Sequence, residues 1–344
     1  MYKNLIRPVL FLFPPELIHR LVSVILPVFF SIPGVSHLVS RHYTVRDPRL
    51  KRRVFGIDFP NPVGIAAGFD KEAKLFNHLA CFGFGHIEIG TVTPLPQKGN
   101  PKPRLFRLTL DHALINRMGF NNHGIDEFVR RLRKTRARVI IGGNIGKNTL
   151  TPNEEASDDY CKCFRELYEY VDYFVINVSC PNIKGMEKLA EKNELIKIIS
   201  SVQGINRSKK RPKPILIKVS PDLDNRQLDE IIEIVRETGL DGIVATNTTT
   251  TRKKLRTGSR KVADLGQGGL SGRPLRERST EVIAYLHKRS NGSIPIIGTG
   301  GISDANDAIE KIQAGASLVQ VYTGFIYSGP GIARKINKGL LNNI

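Results

Sequence analysis

Residues 294–325 read IPIIGTGGISDANDAIEKIQAGASLVQVYTGF. Two short apolar runs, residues 294–297 and 318–321, flank a segment with helical spacing, which predicts a strand, a helix and a second strand. Residues 298–302 form a glycine-rich turn after the first run, and Tyr322, Thr323 and Gly324 follow the second. A glycine-rich turn that opens a helix directs backbone N–H groups at a phosphate, so both turns are candidate phosphate-binding loops.

Similar apolar runs recur along the chain and alternate with helix-like segments. There are eight runs, at residues 63–67, 86–90, 139–145, 173–178, 215–219, 242–245, 294–297 and 318–321. Near-continuously apolar strands that alternate with helices are typical of parallel sheets, and eight of them predict a closed (β/α)8 TIM barrel. No GxGxxG motif follows the first run, which argues against a doubly wound sheet.

Length and composition fit one barrel-sized domain with a short appendage. The chain has 344 residues, of which 40% are hydrophobic and 24% charged, so it can bury a sizeable core. We divide it into an amino-terminal helical segment, residues 1–45, and a barrel, residues 46–344. The four cysteines form no CxxC pair, which excludes a zinc ribbon and a disulfide scaffold, and no metal site is expected.

The amino-terminal segment is apolar with basic surroundings. Residues 1–53 contain nine basic and two acidic side chains, whereas residues 21–40 contain no formal charge. Because Pro27, Pro33 and Gly34 interrupt the apolar stretch, we expect a pair of short helices, the second starting at Pro15, rather than a transmembrane span. Such a pair predicts association with a membrane surface. The alternative is that both helices only pack on the barrel.

The formal net charge of +20 favours anionic partners such as nucleic acid, a membrane surface or an acidic small molecule. The densest basic run, residues 130–138, contains no aromatic side chains and belongs to no recognisable nucleic-acid-binding module. We interpret it as a solvated helix face, and no nucleic-acid partner is expected.

Polar residues end six of the predicted strands, at the end of the barrel where catalytic residues lie. They supply amide, hydroxyl and ammonium donors: Lys71, Thr91, Asn144, Asn177, Lys218, Thr246, Asn247 and Thr248. Each residue alone has an ordinary explanation as a helix cap or a surface lysine. Together they predict a ring of donors around one polar, anionic, planar ligand.

Eight motifs resemble those of the dihydroorotate dehydrogenase family. They are AAGFDK (66–71), EIGTVTP (88–94), PRLFR (103–107), NRMGFNN (116–122), NIGKN (144–148), NVSCPN (177–182), ATNTT (245–249) and GGLSGRPL (268–275). The similarity covers essentially the whole chain. The amino-terminal helices resemble those of the membrane-associated, quinone-reducing class of that family.

The resemblance implies an FMN enzyme of pyrimidine synthesis that oxidises (S)-dihydroorotate to orotate and passes the electrons to a membrane quinone. It implies that FMN contacts Ala67, Gly68, Phe69, Asp70, Lys71, Thr91, Asn144, Asn177, Lys218, Thr246, Gly272, Gly301, Tyr322 and Thr323. It implies that the substrate contacts Lys71, Asn116, Arg117, Met118, Gly119, Phe120, Asn177, Asn182, Asn247 and Thr248.

The resemblance also implies a quinone tunnel between the amino-terminal helices and the flavin, with His19 and Arg107 facing it. For His19 the alternative is a helix-surface residue without a partner. The implied protein is a monomer, bound peripherally to the cytoplasmic face of the inner cell membrane.

The chain departs from the quinone-linked class at two positions. Cys180 stands where that class has serine and the soluble class 1 branch has cysteine, and Ile183 replaces a threonine of the proton relay. A free thiol has a pKa of about 8.5, far below that of an alcohol, so it can act as a base without hydroxyl partners. We therefore predict that Cys180 removes the C5 proton of dihydroorotate and that the other three cysteines are structural.

Two other functions stay open from the sequence. A soluble class 1 enzyme that reduces fumarate or NAD would also carry Cys180, although the apolar, basic amino-terminal segment argues against it. A basic, non-catalytic binding protein on the same barrel would not be yellow and would not bind FMN.

Overall fold

A computed structural model describes residues 2–179, 182, 189 and 191–343. Its strands are β1 (Arg52–Val54), β2 (Ile57–Phe59), β3 (Val63–Asp70), β4 (His86–Val92), β5 (Leu105–Leu108), β6 (Ala113–Asn116), β7 (Ile140–Ile145), β8 (Tyr173–Asn177), β9 (Ile215–Val219), β10 (Gly242–Ala245), β11 (Gly269–Gly272), β12 (Ile296–Thr299) and β13 (Leu318–Val321). Eight of them form a closed parallel barrel in the order β3, β4, β7, β8, β9, β10, β12, β13. The predicted (β/α)8 fold is confirmed.

Every predicted barrel strand is present, and the bounds differ by two or more residues in β3, β4 and β12. β12 begins at Ile296, two residues later than predicted, because Pro295 has no backbone N–H for the strand ladder. β3 continues to Asp70, and its register against β4 shifts between Ile65 and Asp70. This irregular end brings the residues after Ala67 to the mouth of the barrel.

Helices surround the barrel and precede it. The amino-terminal ones are α1 (Arg7–Phe11), which follows a π-helical turn at Tyr2–Ile6, then α2 (Pro15–Ser31) and α3 (Val35–Tyr43). The others are Phe76–Ala80, Gly124–Lys134, Ala156–Leu167, Lys192–Arg207, Asn225–Thr238, Ser259–Leu265, Arg276–Arg289, Ala305–Gln313, Thr323–Ser328 and Ile332–Leu341. The main core lies between these helices and the outer face of the strands.

Two small antiparallel sheets were not predicted from the sequence. β1 and β2 form a hairpin that closes the amino-terminal end of the barrel, where Val54 and Phe59 belong to one cluster with Tyr173 and Leu318. β5, β6 and β11 form a sheet at the opposite end. None of these five short strands is a continuous apolar run like those that reveal the barrel strands, because each contains a polar or charged residue: Arg52 and Arg53, Asp58, Arg107, Asn116 or Ser271.

The basic run is only partly a solvated helix face. Arg130 is exposed and pairs with Glu127 of the same helix. The side chain of Arg131 is only 15% exposed, and its guanidinium contacts Glu72 after β3 and Glu127. One arginine of the run therefore joins the helix to the loop that follows the first barrel strand.

Helix α2 is apolar on its outer side as well as on the side that faces the barrel. α2 is a single helix of 17 residues with Pro27 inside it, longer than the short helix expected. Leu17, Val24 and Val28 are between 50% and 65% exposed on its outer side. Among the described residues no single helix is long and apolar enough to cross a membrane; Tyr2–Phe11 and Pro15–Ser31 meet that criterion only together, and they are bent by 117°.

Candidate active site

A polar cavity of about 980 Å³ opens at the carboxyl ends of the barrel strands. Of the residues predicted to hold the cofactor, it is lined by Ala67, Gly68, Lys71, Thr91, Asn177, Lys218, Thr246, Gly272, Gly301, Tyr322 and Thr323. Of those predicted to hold the substrate, it is lined by Lys71, Asn116, Met118, Gly119, Phe120, Asn177, Asn182, Asn247 and Thr248. The structure thus brings together residues from seven of the eight strand ends, all but that of β7, and from β6 and β11.

Four of the residues predicted to hold the cofactor or the substrate do not line this cavity. The carboxylate of Asp70 accepts the backbone N–H groups of Lys74 and Leu75, each at 2.8 Å, and burial raises its pKa. The guanidinium of Arg117 donates to the carbonyl oxygens of Gln267, at 3.1 Å, and Leu265. The two others are Phe69, which lines a second cavity, and Asn144, which lies below the first.

Asn144 acts beneath the cavity rather than in its wall. It is fully buried, and its Oδ1 accepts the hydroxyl of Thr91 and, at 3.3 Å, Nδ2 of Asn177. Its own Nδ2 donates to Oε1 of Glu88 at 2.7 Å. Register explains the contacts, since Asn144 pairs with Gly90 of β4 and stands beside β8. Asn144 therefore fixes two side chains that do line the cavity.

Sequence reasoning gave no role to Glu88, a fully buried carboxylate of β4. Its Oε1, which accepts a hydrogen bond from Asn144, also lies 3.6 Å from Nζ of Lys218. Its Oε2 accepts a hydrogen bond from Nε2 of Gln320 at 2.8 Å. The signal was present in the sequence, because Glu88 and Gln320 are polar residues inside otherwise apolar strands.

Amide groups and one ammonium group converge on the outer part of the cavity. Nζ of Lys71 donates to the carbonyl of Gly119 at 3.1 Å and to Oδ1 of Asn121 at 2.7 Å. Nδ2 of Asn182 donates to Oδ1 of Asn116 at 3.1 Å, and the buried Oδ1 of Asn182 has no hydrogen-bond partner among the described residues. An unpartnered buried acceptor at a cavity wall indicates a ligand with an N–H group.

Glycine residues form the end of the cavity at β11 and β12. Gly272 has φ +99°, and a Cβ there would lie 2.4 Å from the carbonyl oxygen of His112. Gly301 has φ +75°, and a Cβ there would lie 2.3 Å from Cα of Arg276. Both positions therefore require glycine. Thr323, which opens the helix Thr323–Ser328, lies at the same end.

A second cavity, of about 1090 Å³ and almost entirely apolar, lies between the amino-terminal helices and the barrel. Its polar members include His19, whose Nε2 lies 2.9 Å from the carbonyl oxygen of Phe69, and Arg107, whose Nη1 donates to the carbonyl of Phe13 at 2.6 Å. His19 thus has a partner. Tyr322 lines both cavities, its hydroxyl lies 3.4 Å from the carbonyl oxygen of Gly68, and burial raises its pKa to about 12.

Cys180 and Ile183 lie outside the described residues. Ser179, which precedes Cys180, is described. Its hydroxyl donates a hydrogen bond to the carbonyl of Lys218 at 2.9 Å and accepts one from Nδ2 of Asn247 at 3.1 Å. Burial raises the pKa of the three other thiols, those of Cys81, Cys161 and Cys163. None of these three thiols has the lowered pKa of a reactive thiolate.

The sequence and the fold are both similar to known proteins. A family profile described as "Dihydroorotate dehydrogenase" matches residues 49–344. A protein named dihydroorotate dehydrogenase (quinone) from Christiangramia forsetii is 55% identical over 341 residues, which is 99% of each chain. One of the same name from a Synechococcus species is 50% identical over 313 residues, 89% of this chain and 82% of its own.

Two crystal structures from Eimeria tenella share the fold. One is of DHODH in complex with ferulenol, with TM-score 0.83, 38% identity and coverage of 96% of this chain and 91% of that one. The other is of the ligand-free type, with TM-score 0.84, 38% identity and coverage of 96% and 94%. The chain belongs to the dihydroorotate dehydrogenase family.

Proposed function

We propose that this protein oxidises (S)-dihydroorotate to orotate and passes the electrons to a membrane quinone, a step of pyrimidine synthesis. One observation carries the proposal: a polar cavity and an apolar cavity share the wall formed by Tyr322, with Gly68 on one side and Phe69 on the other. A charged pyrimidine acid suits the first cavity and a quinone suits the second. The names of the relatives favour a quinone over fumarate or NAD as the acceptor.

The polar cavity fits FMN, the cofactor general to this family. The glycine cradle at Gly272 and Gly301 with Thr323 suits the phosphate. Thr91, Asn177, Lys218 and Thr246 would hold the ring system, and Ala67 and Gly68 leave room for it. When bound, FMN supplies the acceptor for the hydride that leaves C6 of the substrate.

The outer part of the cavity suits dihydroorotate. Lys71 supplies a fixed positive charge for the carboxylate, and its two hydrogen bonds hold it in place. Asn182, Asn177 and Asn247 carry amide groups, each of which offers both donors and an acceptor to the N–H and C=O edges of the ring.

Cys180 is the proposed base. It follows Ser179, which Asn247 and Lys218 fix at the cavity, and it precedes Asn182, which lines the cavity. As a thiolate it takes the C5 proton of dihydroorotate without a hydroxyl relay, which agrees with isoleucine at position 183. The sulfur must then lie on the opposite face of the substrate from the cofactor.

The amino-terminal segment, residues 1–45, is the proposed route for the quinone. His19 and Arg107 are the polar groups that would meet its carbonyl oxygens at the inner end of the apolar cavity. The exposed apolar side of α2, within a region of net positive charge, would rest on the cytoplasmic face of the cell membrane. The proposed unit is a peripheral monomer.

Anaerobic mixing with dihydroorotate tests the two half-reactions separately. We expect the yellow colour of the purified protein to bleach on adding dihydroorotate and to return on adding ubiquinone or menaquinone, with fumarate and NAD at least tenfold slower. Removal of residues 1–45 should leave bleaching by saturating dihydroorotate intact and abolish the return of colour with quinone. Bleaching followed by fast return with fumarate would instead identify a class 1 activity.

A further inference from the structure

Glu88 is a fully buried carboxylate that lines neither the polar nor the apolar cavity, yet it contacts Lys218, which lines the polar one. It receives hydrogen bonds from Asn144 at 2.7 Å and Gln320 at 2.8 Å, and the ammonium of Lys218 lies 3.6 Å away. All three partners belong to neighbouring or facing barrel strands, so the arrangement is fixed by the barrel itself.

Folding alone does not require a negative charge at this position. Neither amide donor needs a charged acceptor, because a neutral oxygen also accepts an N–H group, and buried ion pairs are often no more stabilising than apolar residues of similar size. A carboxylate differs from a neutral amide in two respects: it offers one oxygen each to Asn144 and Gln320, and it compensates the charge of Lys218. Lys218 is only 5% exposed, so its charge is screened mainly by Glu88 and little by water.

We infer that Glu88 is a positioning residue that holds Lys218 and sets the reduction potential of the bound FMN. The inference rests on the proposed function, because it takes FMN as the occupant of the polar cavity. An ammonium group in the cavity wall stabilises negative charge added to the cofactor, and a carboxylate behind the ammonium reduces that effect. The electrostatic potential that the pair creates in the cavity is therefore less positive than the one that Lys218 alone would create.

The variant Glu88→Gln keeps the shape of the side chain, removes its charge and replaces one of its two acceptor oxygens by an NH2 group. With FMN bound, we expect the equilibrium between oxidised and reduced cofactor, measured against redox dyes, to shift at least tenfold toward the reduced form. For a two-electron couple this is a rise of about 30 mV in the potential. An unchanged potential in a yellow Glu88→Gln protein overturns the inference and leaves the proposed function standing. A wild-type protein that takes up no FMN overturns the proposed function itself.

A second comparison shows whether Glu88 acts through Lys218. Lys218→Met removes the ammonium through which Glu88 is proposed to act on the cofactor. We therefore expect Lys218→Met and Lys218→Met/Glu88→Gln to differ less than twofold in the equilibrium between oxidised and reduced FMN. A tenfold difference overturns the inference. This pair decides the matter even where Glu88→Gln alone fails to fold.

Discussion

At the scale of single residues, position 180 combines a thiol with a neighbour, Ile183, that has no hydroxyl. A base acts only in its deprotonated form, and an unperturbed thiol loses its proton near pH 8.5 whereas a serine hydroxyl does so far higher. A proton relay of hydroxyl groups is therefore needed for serine and unnecessary for cysteine.

We predict that Cys180→Ala lowers the rate of anaerobic bleaching by dihydroorotate at least 10³-fold, in the range expected for loss of a general base. We expect FMN to stay bound, because the substitution does not change any of the described residues that line the polar cavity. Cys81→Ala is the matched control, because this half-buried thiol donates to the carbonyl of Asn77 and lines neither the polar nor the apolar cavity. Rapid bleaching in Cys180→Ala would exclude Cys180 as the base.

The pH dependence of bleaching gives a second test of the thiol. With Cys180 the rate should rise with pH through the thiol pKa and level off above it, because the fraction of thiolate rises in that range. Cys180→Ser should be slow at every pH up to about 9, since no hydroxyl at position 183 assists the serine. A serine variant with the wild-type rate and profile would contradict the proposed role.

The residue scale also shows where sequence reasoning succeeds and fails at the site. Strand ends converge in a barrel, so Thr91, Asn177 and Lys218 were predictable from position alone. Asp70 and Arg117 were not, because a motif does not reveal that a side chain turns back to backbone groups of its own or another loop. Glu88 and Gln320 can be recognised as polar residues in largely apolar strands, but their contacts with each other and with Asn144 inside the barrel cannot be predicted from the sequence.

At the scale of elements, a chain of contacts joins α2 to the loop that contains Arg117 and Met118. The guanidinium of Arg104 donates to Glu16 at 2.8 Å and to the carbonyl of Asn100 at 2.9 Å. Nδ2 of Asn100 donates to the carbonyl of Arg117 at 2.9 Å, next to Met118 in the cavity wall. Burial alone would raise the pKa of Glu16, but hydrogen bonding and charge from Arg104 lower it, so the pair stays ionised at neutral pH.

We predict that Glu16→Gln weakens orotate binding about three- to tenfold, although Glu16 lies in the amino-terminal segment. The variant removes the charge that holds Arg104, and a hydrogen bond to a charged group is worth about 1.5–3 kcal/mol before compensation by the remaining contacts. Orotate affinity is measured by the shift in flavin absorbance. Lys102→Gln is the matched control, because Lys102 is an exposed partner 3.6 Å from the same carboxylate and should change affinity less than twofold.

Equal affinity in Glu16→Gln and wild type would show that the contacts do not reach the substrate loop. The pH sign follows from the lowered pKa of Glu16: its contribution is present above its ordinary pKa and is lost as the pH falls through the lowered value. The difference between wild type and Glu16→Gln should therefore disappear in acid.

Elements differ in how well the sequence predicts them. The barrel strands are predictable because both of their faces are buried, which makes each a nearly continuous apolar run; β10, with the sequence GIVA, contains no polar side chain. The hairpin of β1 and β2 has alternating burial over only three residues per strand. The length of α2 was underestimated because Pro27 was taken to end a helix; the proline lies inside it near the end, and the helix continues to Ser31.

At the scale of the whole molecule, charge and apolar surface coincide at one end of the chain. The protein has a net charge of +20, residues 1–53 contribute nine basic and two acidic side chains, and α2 presents Leu17, Val24 and Val28 outward. Anionic lipid would attract the basic residues over a Debye length, and the apolar side chains would add short-range burial. We expect either alone to give weak binding to a membrane and the two together to give stable association.

We predict that the protein co-sediments with vesicles containing phosphatidylglycerol, and that the bound fraction falls with pure phosphatidylcholine or added salt. Val24→Asp/Val28→Asp should lower the vesicle partition coefficient about tenfold, because two carboxylates replace apolar groups at the lipid contact. Leu150→Asp is the matched control, since Leu150 is 94% exposed but belongs to the barrel domain. Equal loss of binding in both proteins would mean that charge alone, and not the α2 surface, holds the molecule to the membrane.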